Sequence, residues 1–432
     1  MELLTPEAVV NQSPRRLPVE LTDIIIDHLH DDEASLFVCA LVEHDWLWSA
    51  RYHLFHTTLI TTSGDEKHGL ASFLRVVASS PFALGNHVRC LHIRGAHDKT
   101  QDDFTSLFAF LDAVLPKLPS LRRITLSRMV WGKFESAVLP MERREPMPWE
   151  LKMLSLKDIR LDASDVESLD NAQKHLSHLL QQFSSIRLLS IDTVRIGYRA
   201  LYAAQLEPLT TDGETPRDGR RKCHISAINC FTEDDSFYLL SALSRLGFVH
   251  HLHTLKFGSG CPEITASAQV VANLAAPSLR FVRYRVPSDD YVASKIPCLD
   301  LSQCTALHTA HLRGFVSSAT EARTVLTQMI NTVTCTPPDA AAVLLEFFAR
   351  PQDFCNLFEP SLTQDRWSLL DTQLSSRSSL RKVVLVLRST KSPAELAASE
   401  GMLPLLQKQG KLSGVFAGIF ESIQWHRLTG IY

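Results

Sequence analysis

The sequence predicts an α/β protein in which three short N-terminal helices precede a long array of alternating strands and helices. Three observations lead there. A short apolar pattern, two residues between the first pair and one between the second, recurs nine times in chain order. Helix-period stretches lie between the copies. The chain also opens on a run with a clear helix start, Arg15 to Leu29.

In that opening run Pro18 falls in the first turn, where its missing N–H loses nothing. Glu20 and Asp23 put negative charge near the positive end of the helix dipole. Leu21, Ile24, Ile25, His28 and Leu29 form one apolar stripe at helical spacing. A second helix follows, capped by Asp31 or Asp32, with Leu36, Phe37, Ala40 and Leu41 as its expected buried side. A third runs through Trp46, Leu47, Ala50 and Leu54. Three helices in about 45 residues bury little surface of their own, so such a unit leans on a partner or on the rest of the chain.

Taken alone, the stripe would fit any amphipathic helix. The ordered series is more specific: Leu17-Pro18-x-Glu20-Leu21, then Ile24, Ile25 and Leu29, then Ser35-Leu36-x-x-Cys39-x-x-Val42 and Trp46. It resembles the F-box motif, and the continuation Ser49 to Phe55 is similar to F-box proteins common in fungi. The resemblance covers residues 13–60. It implies a module that docks on Skp1, and through it a cullin, within a ubiquitin ligase, while 61–432 captures a protein substrate. The Skp1-binding positions it implies are Leu17, Pro18, Glu20, Leu21, Ile24, Ile25, Leu29, Leu36, Cys39, Val42 and Trp46, some of which must also hold the helices together. One departure bears on docking rather than on the fold. Glu43-His44-Asp45 stands where the family usually has Cys followed by Lys or Arg, which removes a positive charge and adds acids.

After Phe55, the β-branched run Thr57 to Thr62 reads as a strand. The recurring pattern then begins. Its copies are Val88/Leu91/Ile93, Leu121/Ile124/Leu126, Leu151/Leu154/Leu156, Ile186/Leu189/Ile191, Ile225/Ile228/Cys230, Leu252/Leu255/Phe257, Leu279/Val282/Tyr284, Leu307/Ala310/Leu312 and Leu380/Val383/Leu385. Starts are about 27 to 39 residues apart, except for a last gap of about 73. The last two apolar residues of each copy are two apart and share one strand face. Helical stretches fill the intervals: Asp103 to Leu115, Ala172 to Phe183, Ser236 to Leu246 and Glu321 to Ile330. One strand and one helix cannot bury their apolar sides alone, whereas stacked repeats can. The region resembles an irregular, degenerate leucine-rich-repeat solenoid lacking the consensus asparagine. An ordinary parallel-sheet α/β domain is the alternative. In the long gap, Ala340 to Phe348 and Asp365 to Leu374 read as helical, and Leu405 to Trp425 reads as a cap. Trp131 to Glu150 and Glu207 to Lys222 read as exposed loops, the second carrying Thr215-Pro216 as a conceivable phosphate acceptor.

Composition bounds the function. The chain has 432 residues, 45% hydrophobic and 21% charged, with a net charge of −3. Such a chain is globular and is not drawn as a whole to nucleic acid or membrane. It shows no signal-peptide pattern and no apolar run of membrane-spanning length. Nine scattered cysteines without Cys-x-x-Cys fit reduced thiols in an intracellular protein, cytoplasmic or nuclear. Phosphate-loop, nucleophile-elbow and zinc-protease motifs are absent from the sequence. Gly258-Ser259-Gly260 reads as a turn, and His250, His251 and His253 as strand-edge histidines. The expectation is a non-catalytic protein without cofactor or metal.

One feature points to recognition. Strand positions flanking the inward apolar pair face away from the helices. They carry Arg94, Arg123, Lys157, Lys256, Arg283, Arg285, Arg313 and Lys382, together with His92 and His311, and Asp192 is the only acid read among them. Charged residues can simply guard a sheet surface, but that does not require one sign. The other reading is a face that binds an acidic or phosphorylated protein segment. A second basic row, Arg89, Arg122, Lys152, Arg187, Arg280 and Arg381, reads as solvated rim. The first functional expectation is therefore a substrate-recognition subunit of a Skp1–cullin–F-box ubiquitin ligase. A repeat scaffold unconnected to ubiquitin is the alternative. A nucleic-acid binder ranks last, since the copies lack a regular aromatic interleave.

Overall fold

The structure is a computed structural model, and it describes residues 17–62, 69–80, 83–95, 103–131, 149–161, 166–196, 223–230, 237–258, 262–288, 293–294, 298–350, 353–388 and 401–416. The chain divides into two compact units, one from Met1–His92 with Ala109–Leu121, the other from Ile93–Phe108 with Arg122–Tyr432.

The first unit begins with α1 (Val19–His28), α2 (Glu33–Val42) and α3 (His44–His56). Pro18 directly precedes α1 rather than lying inside it, and its carbonyl accepts from the Leu21 and Thr22 amides at 3.0 and 3.1 Å. Asp32 caps α2, accepting from the Ser35 amide at 3.2 Å and the Ser35 hydroxyl at 2.6 Å. Ile26, Leu36, Cys39 and Ala50 form the core, with Leu29, Ala40, Trp46 and Leu54 packed against it. The Ser49 hydroxyl donates to Asp23, and His53 Nε2 lies 2.7 Å from Asp27 Oδ1, tying α3 back to α1.

This core corrects the sequence reading. The stripe Leu21, Ile24, Ile25 and His28 is exposed, and α1 turns Thr22, Ile26 and Leu29 inward instead. On α2, Leu36 is buried as expected, but Phe37 and Leu41 are exposed. The physical reason is that α1 and α2 are apolar on more than one side. Three short helices can cover only one side of each, so the remainder is left outside. Next come β1 (Thr57–Thr61) and α4 (Leu70–Ser79), and then β2 (Cys90–Arg94), which the boundary between the units crosses.

In the second unit the strands are β3 (Arg123–Ser127), β4 (Val130–Trp131), β5 (Glu150–Leu161), β6 (Ser185–Ile196), β7 (His224–Cys230), β8 (Thr254–Phe257), β9 (Phe281–Arg285), β10 (Thr309–Val316), β11 (Ala342–Ala349), β12 (Lys382–Arg388) and β13 (Leu412–Phe416). β3 and β5 to β13 lie side by side in chain order, with β4 branching onto β5, and these neighbours pair in parallel. The sheet is open: among the described residues no pairing joins β13 back to β3, and each parallel neighbour is reached by a crossover. The boundary between the units also crosses α5 (Asp103–Val114), and the described crossover helices of the second unit are α6 (Val166–Gln181), α7 (Phe237–Arg245), α8 (Pro262–Leu274), α9 (Ala319–Thr334), α10 (Pro360–Ser375) and α11 (Pro404–Lys408). Every residue of the nine apolar copies is buried. Gly314 is required by this packing. A Cβ there would collide with Val325 Cγ1 of α9, so only glycine lets the helix lie this close to β10.

The long gap between the last two copies contains a strand. Ala340 to Phe348, expected to be helical, supplies β11, with Val343, Leu345 and Phe347 facing Trp367 and the helices. Its other face is also apolar: Leu344 packs with Val384 and Val386 of β12 in a second buried cluster. A strand buried on both faces loses the alternation that identifies it, and its continuous apolar run reads equally well as helix. The helix expected over Asp365 to Leu374 is present within α10. The expected loops 132–148 and 207–222, the remainder of the Gly258 turn, residues 13–16 and the C-terminal part of the expected cap lie outside the described residues.

Candidate functional site

Two surfaces carry the residues that the sequence singles out, one in each unit. In the first unit, Leu17, Pro18, Glu20, Leu21, Ile24, Ile25 and Val42 are exposed, with Val19, Phe37, Val38 and Leu41 exposed among them. Leu41 is 87% exposed, and no ordinary core accounts for it. Leu36 and Cys39 are core residues, and Leu29 and Trp46 are half-buried against that core. The eleven motif positions thus split into a structural set and an outward set. So many large apolar side chains on and beside two short helices exceed the scattered exposure common on protein surfaces. Of the departing residues, Glu43 precedes α3 in extended conformation, and His44 and Asp45 are exposed.

In the second unit, strand register fixes which basic residues are neighbours. Lys256 lies opposite Arg283, Arg283 opposite His311, and Arg285 opposite Arg313. Arg313 in turn lies opposite Glu346. Glu346 is fully buried and collects its surroundings. It takes hydrogen bonds from Arg283 at 3.1 Å and His311 at 2.9 Å, and it ion-pairs with Arg313 at 2.8 Å and Arg388 at 2.5 Å. Since a carboxylate only accepts, His311 donates from Nε2. Burial pushes the Glu346 carboxyl up, but the His311 hydrogen bond and the charges of Arg313 and Arg283 outweigh it and hold it down at about 2. Burial, with Arg283 and Arg313 nearby, lowers His311 to about 4, so it is neutral at pH 7. Arg313 falls to about 10, first through burial and then through the like charges of Arg283, Arg388 and Arg285. Burial, then Arg283, likewise lowers Lys256.

Beside this network two phenyl rings stack, Phe315 on Phe348, at 5.4 Å and 3°. The Arg313 and Arg388 guanidiniums lie over Phe348 at 4.5 and 5.2 Å, and Arg285 lies over Phe315 at 5.3 Å. A cleft of about 80 Å³ opens between Arg285, Arg313, Gly314, Phe315 and Phe348.

The predicted basic strip is therefore only partly assembled. Lys256, Arg283, Arg285 and Arg313 converge, whereas Lys157 lies opposite Asp192 and Arg123 opposite Met153. Lys382 faces Ala342, and Arg94 ends β2. Asp192 is not the only acid: Glu346 sits at the centre of the basic group. Glu346, Arg388, Phe315 and Phe348 escaped the sequence reading. Their signal was a single acid inside the apolar run Ala342 to Ala349, which a strand can bury only beside cations.

Among the described residues no group of three or more His, Cys, Asp or Glu is placed to hold a metal. His251 packs edge-on against His224 at 4.7 Å, an ordinary ring contact. No helix among the described residues is long and apolar enough to cross a membrane. No protein-family model matches the chain, and no curated protein matches it.

Proposed function

We propose that this protein is the substrate-recognition subunit of a Skp1–cullin–F-box ubiquitin ligase. In this reading the three N-terminal helices are the F-box and the strand–helix array is a leucine-rich-repeat-like recognition region. The exposed side of α1 and α2 docks on Skp1, and the outward sheet face of the second unit holds a protein substrate. The protein performs no chemistry itself. It raises the local concentration of substrate lysines at the charged ubiquitin carrier.

The observation that carries this reading is the division of the motif. Leu36, Cys39 and Ile26 build the helical core, while Leu17, Pro18, Leu21, Ile24, Ile25 and Val42 are left outside on one short stretch of chain. A motif kept only to fold three helices would not leave its most apolar positions in water. The experiment is co-purification of Skp1 with the wild type and with a Leu17→Ala/Pro18→Ala variant. Loss of Skp1 from the variant, with its circular dichroism unchanged, is expected. Equal recovery of Skp1 in both would overturn the assignment.

A further inference from the structure

We infer that Cys298 and Cys335 are a site of reversible oxidation, closing to a disulfide when the protein meets peroxide and reopening with thiol reductants. The inference stands apart from the proposed ligase role. Cys335 ends α9, and Cys298 opens the segment leading to β10. Their sulfurs are 4.0 Å apart across 37 residues of chain.

The backbone on both sides is held in place. The Leu301 amide donates to the Cys335 carbonyl at 2.9 Å, and the Cys335 amide donates to Asn331 at 3.1 Å. On its other side the 298–304 segment is clamped by Gln269 of α8, whose side chain donates to the Asp300 carbonyl at 2.6 Å and accepts from the Asp300 amide at 2.7 Å. Leu299, Leu301 and Cys304 anchor the segment in the core. Closing the remaining distance to a bonded length of about 2.05 Å brings the two sulfurs together by roughly 1 Å each.

Access follows from burial, and selectivity from the short approach of the two sulfurs. Both cysteines are half-buried, as is Cys90, and open enough for a small oxidant, whereas Cys39, Cys223, Cys230 and Cys304 are buried. Cys355 is exposed, so it reacts with alkylating agents. Burial, then Cys298 and Asp300, push the Cys335 thiol up to about 11. Its thiolate is scarce at neutral pH, which slows reaction through Cys335.

The chemistry balances with hydrogen peroxide as the oxidant. One thiolate attacks a peroxide oxygen; an S–O bond forms, the O–O bond breaks and hydroxide leaves, giving a sulfenic acid. The second thiolate attacks that sulfur; an S–S bond forms, the S–O bond breaks and a second hydroxide leaves, and the two protons the thiols released convert both hydroxides to water. Two electrons pass from the sulfurs to the peroxide. The product fastens the C-terminus of α9 to the segment before β10 and encloses β10 and α9 in one covalent loop. Restricting the unfolded chain in this way raises stability.

The test uses the full chain treated with hydrogen peroxide, alkylated with N-ethylmaleimide and digested without reductant. A linked peptide pair containing Cys298 and Cys335, abolished by dithiothreitol, is the expected result in the mass spectrum. Thermal unfolding adds a second readout. Oxidation should raise the midpoint of the wild type and leave a Cys298→Ser/Cys335→Ser variant unmoved. Alkylation of both cysteines after peroxide, or pairing of either with Cys355, would overturn the inference, and this readout needs no variant to fold.

Discussion

Replacing Glu346 by glutamine is the sharpest test of the second unit. The substitution keeps the shape and removes one charge from the centre of Arg283, Arg313 and Arg388. Two routes give its magnitude. Removing one partner of a buried ion pair costs about 3–5 kcal/mol. The carboxyl is lowered from 4.5 to about 2, which at about 1.4 kcal/mol per pH unit corresponds to roughly 3 kcal/mol of stability. The two agree, and together they represent a large share of a typical stability of about 5–15 kcal/mol. Urea unfolding at pH 7 reads the loss directly. The pH dependence carries its own sign. A depressed carboxyl stabilises fully above its unfolded pKa, and the benefit drains as pH falls from 4.5 to about 2. His311 adds an earlier window. Between 6.5 and about 4 the unfolded chain binds a proton that the folded chain refuses, so stability falls there as well. In Glu346→Gln the lower window should vanish. A variant within about 1 kcal/mol of wild type, with that window intact, would refute the network.

The remaining predictions are simpler. Ile24→Glu/Leu41→Glu should leave unfolding free energy within about 0.5 kcal/mol, because both residues are exposed, yet abolish Skp1 recovery; a destabilised variant would show that these residues are core. Gly314→Ala should cost about 1–3 kcal/mol in denaturant unfolding, and Val325→Ala in the same chain should return part of it; strictly additive losses would show that the two do not touch.

The parallel sheet was legible because the nine apolar copies report one buried strand face each, and that face is set by a period of two that survives every change of helix and loop. β11 was not legible. Leu344 beside Val384 and Val386 makes its second face apolar too, so the run from Ala340 to Leu345 carries no period at all. Missing that strand hid Glu346, and with it the reason why three arginines gather on neighbouring strands. The start of α2 read well, since Asp32 is a capping side chain with local geometry. The direction of α1 did not. A stripe gives the angle between apolar residues, but not whether that side meets the protein's own core or another surface, and here Ile26 and Thr22 on the other side do the packing.

Glu346 also changes how recognition on the sheet face must be tested. Reversing Arg283 or Arg313 would strand a buried carboxylate beside a new acid, and any lost partner could then reflect unfolding rather than a lost contact. Arg285, Arg123 and Lys382 share the face, while the described ion pairs of Glu346 run to Arg283, His311, Arg313 and Arg388. A variant with these three changed to glutamate should retain Skp1, with urea unfolding run alongside to separate a lost contact from lost stability. If the face selects acidic or phosphorylated segments, captured substrates should drop out, and their capture by the wild type should weaken as salt rises. An unchanged partner list at both low and high salt would show that the positive face serves solubility. Recognition would then have to rest on shape and apolar contact, for which the Phe315–Phe348 cleft offers the described alternative.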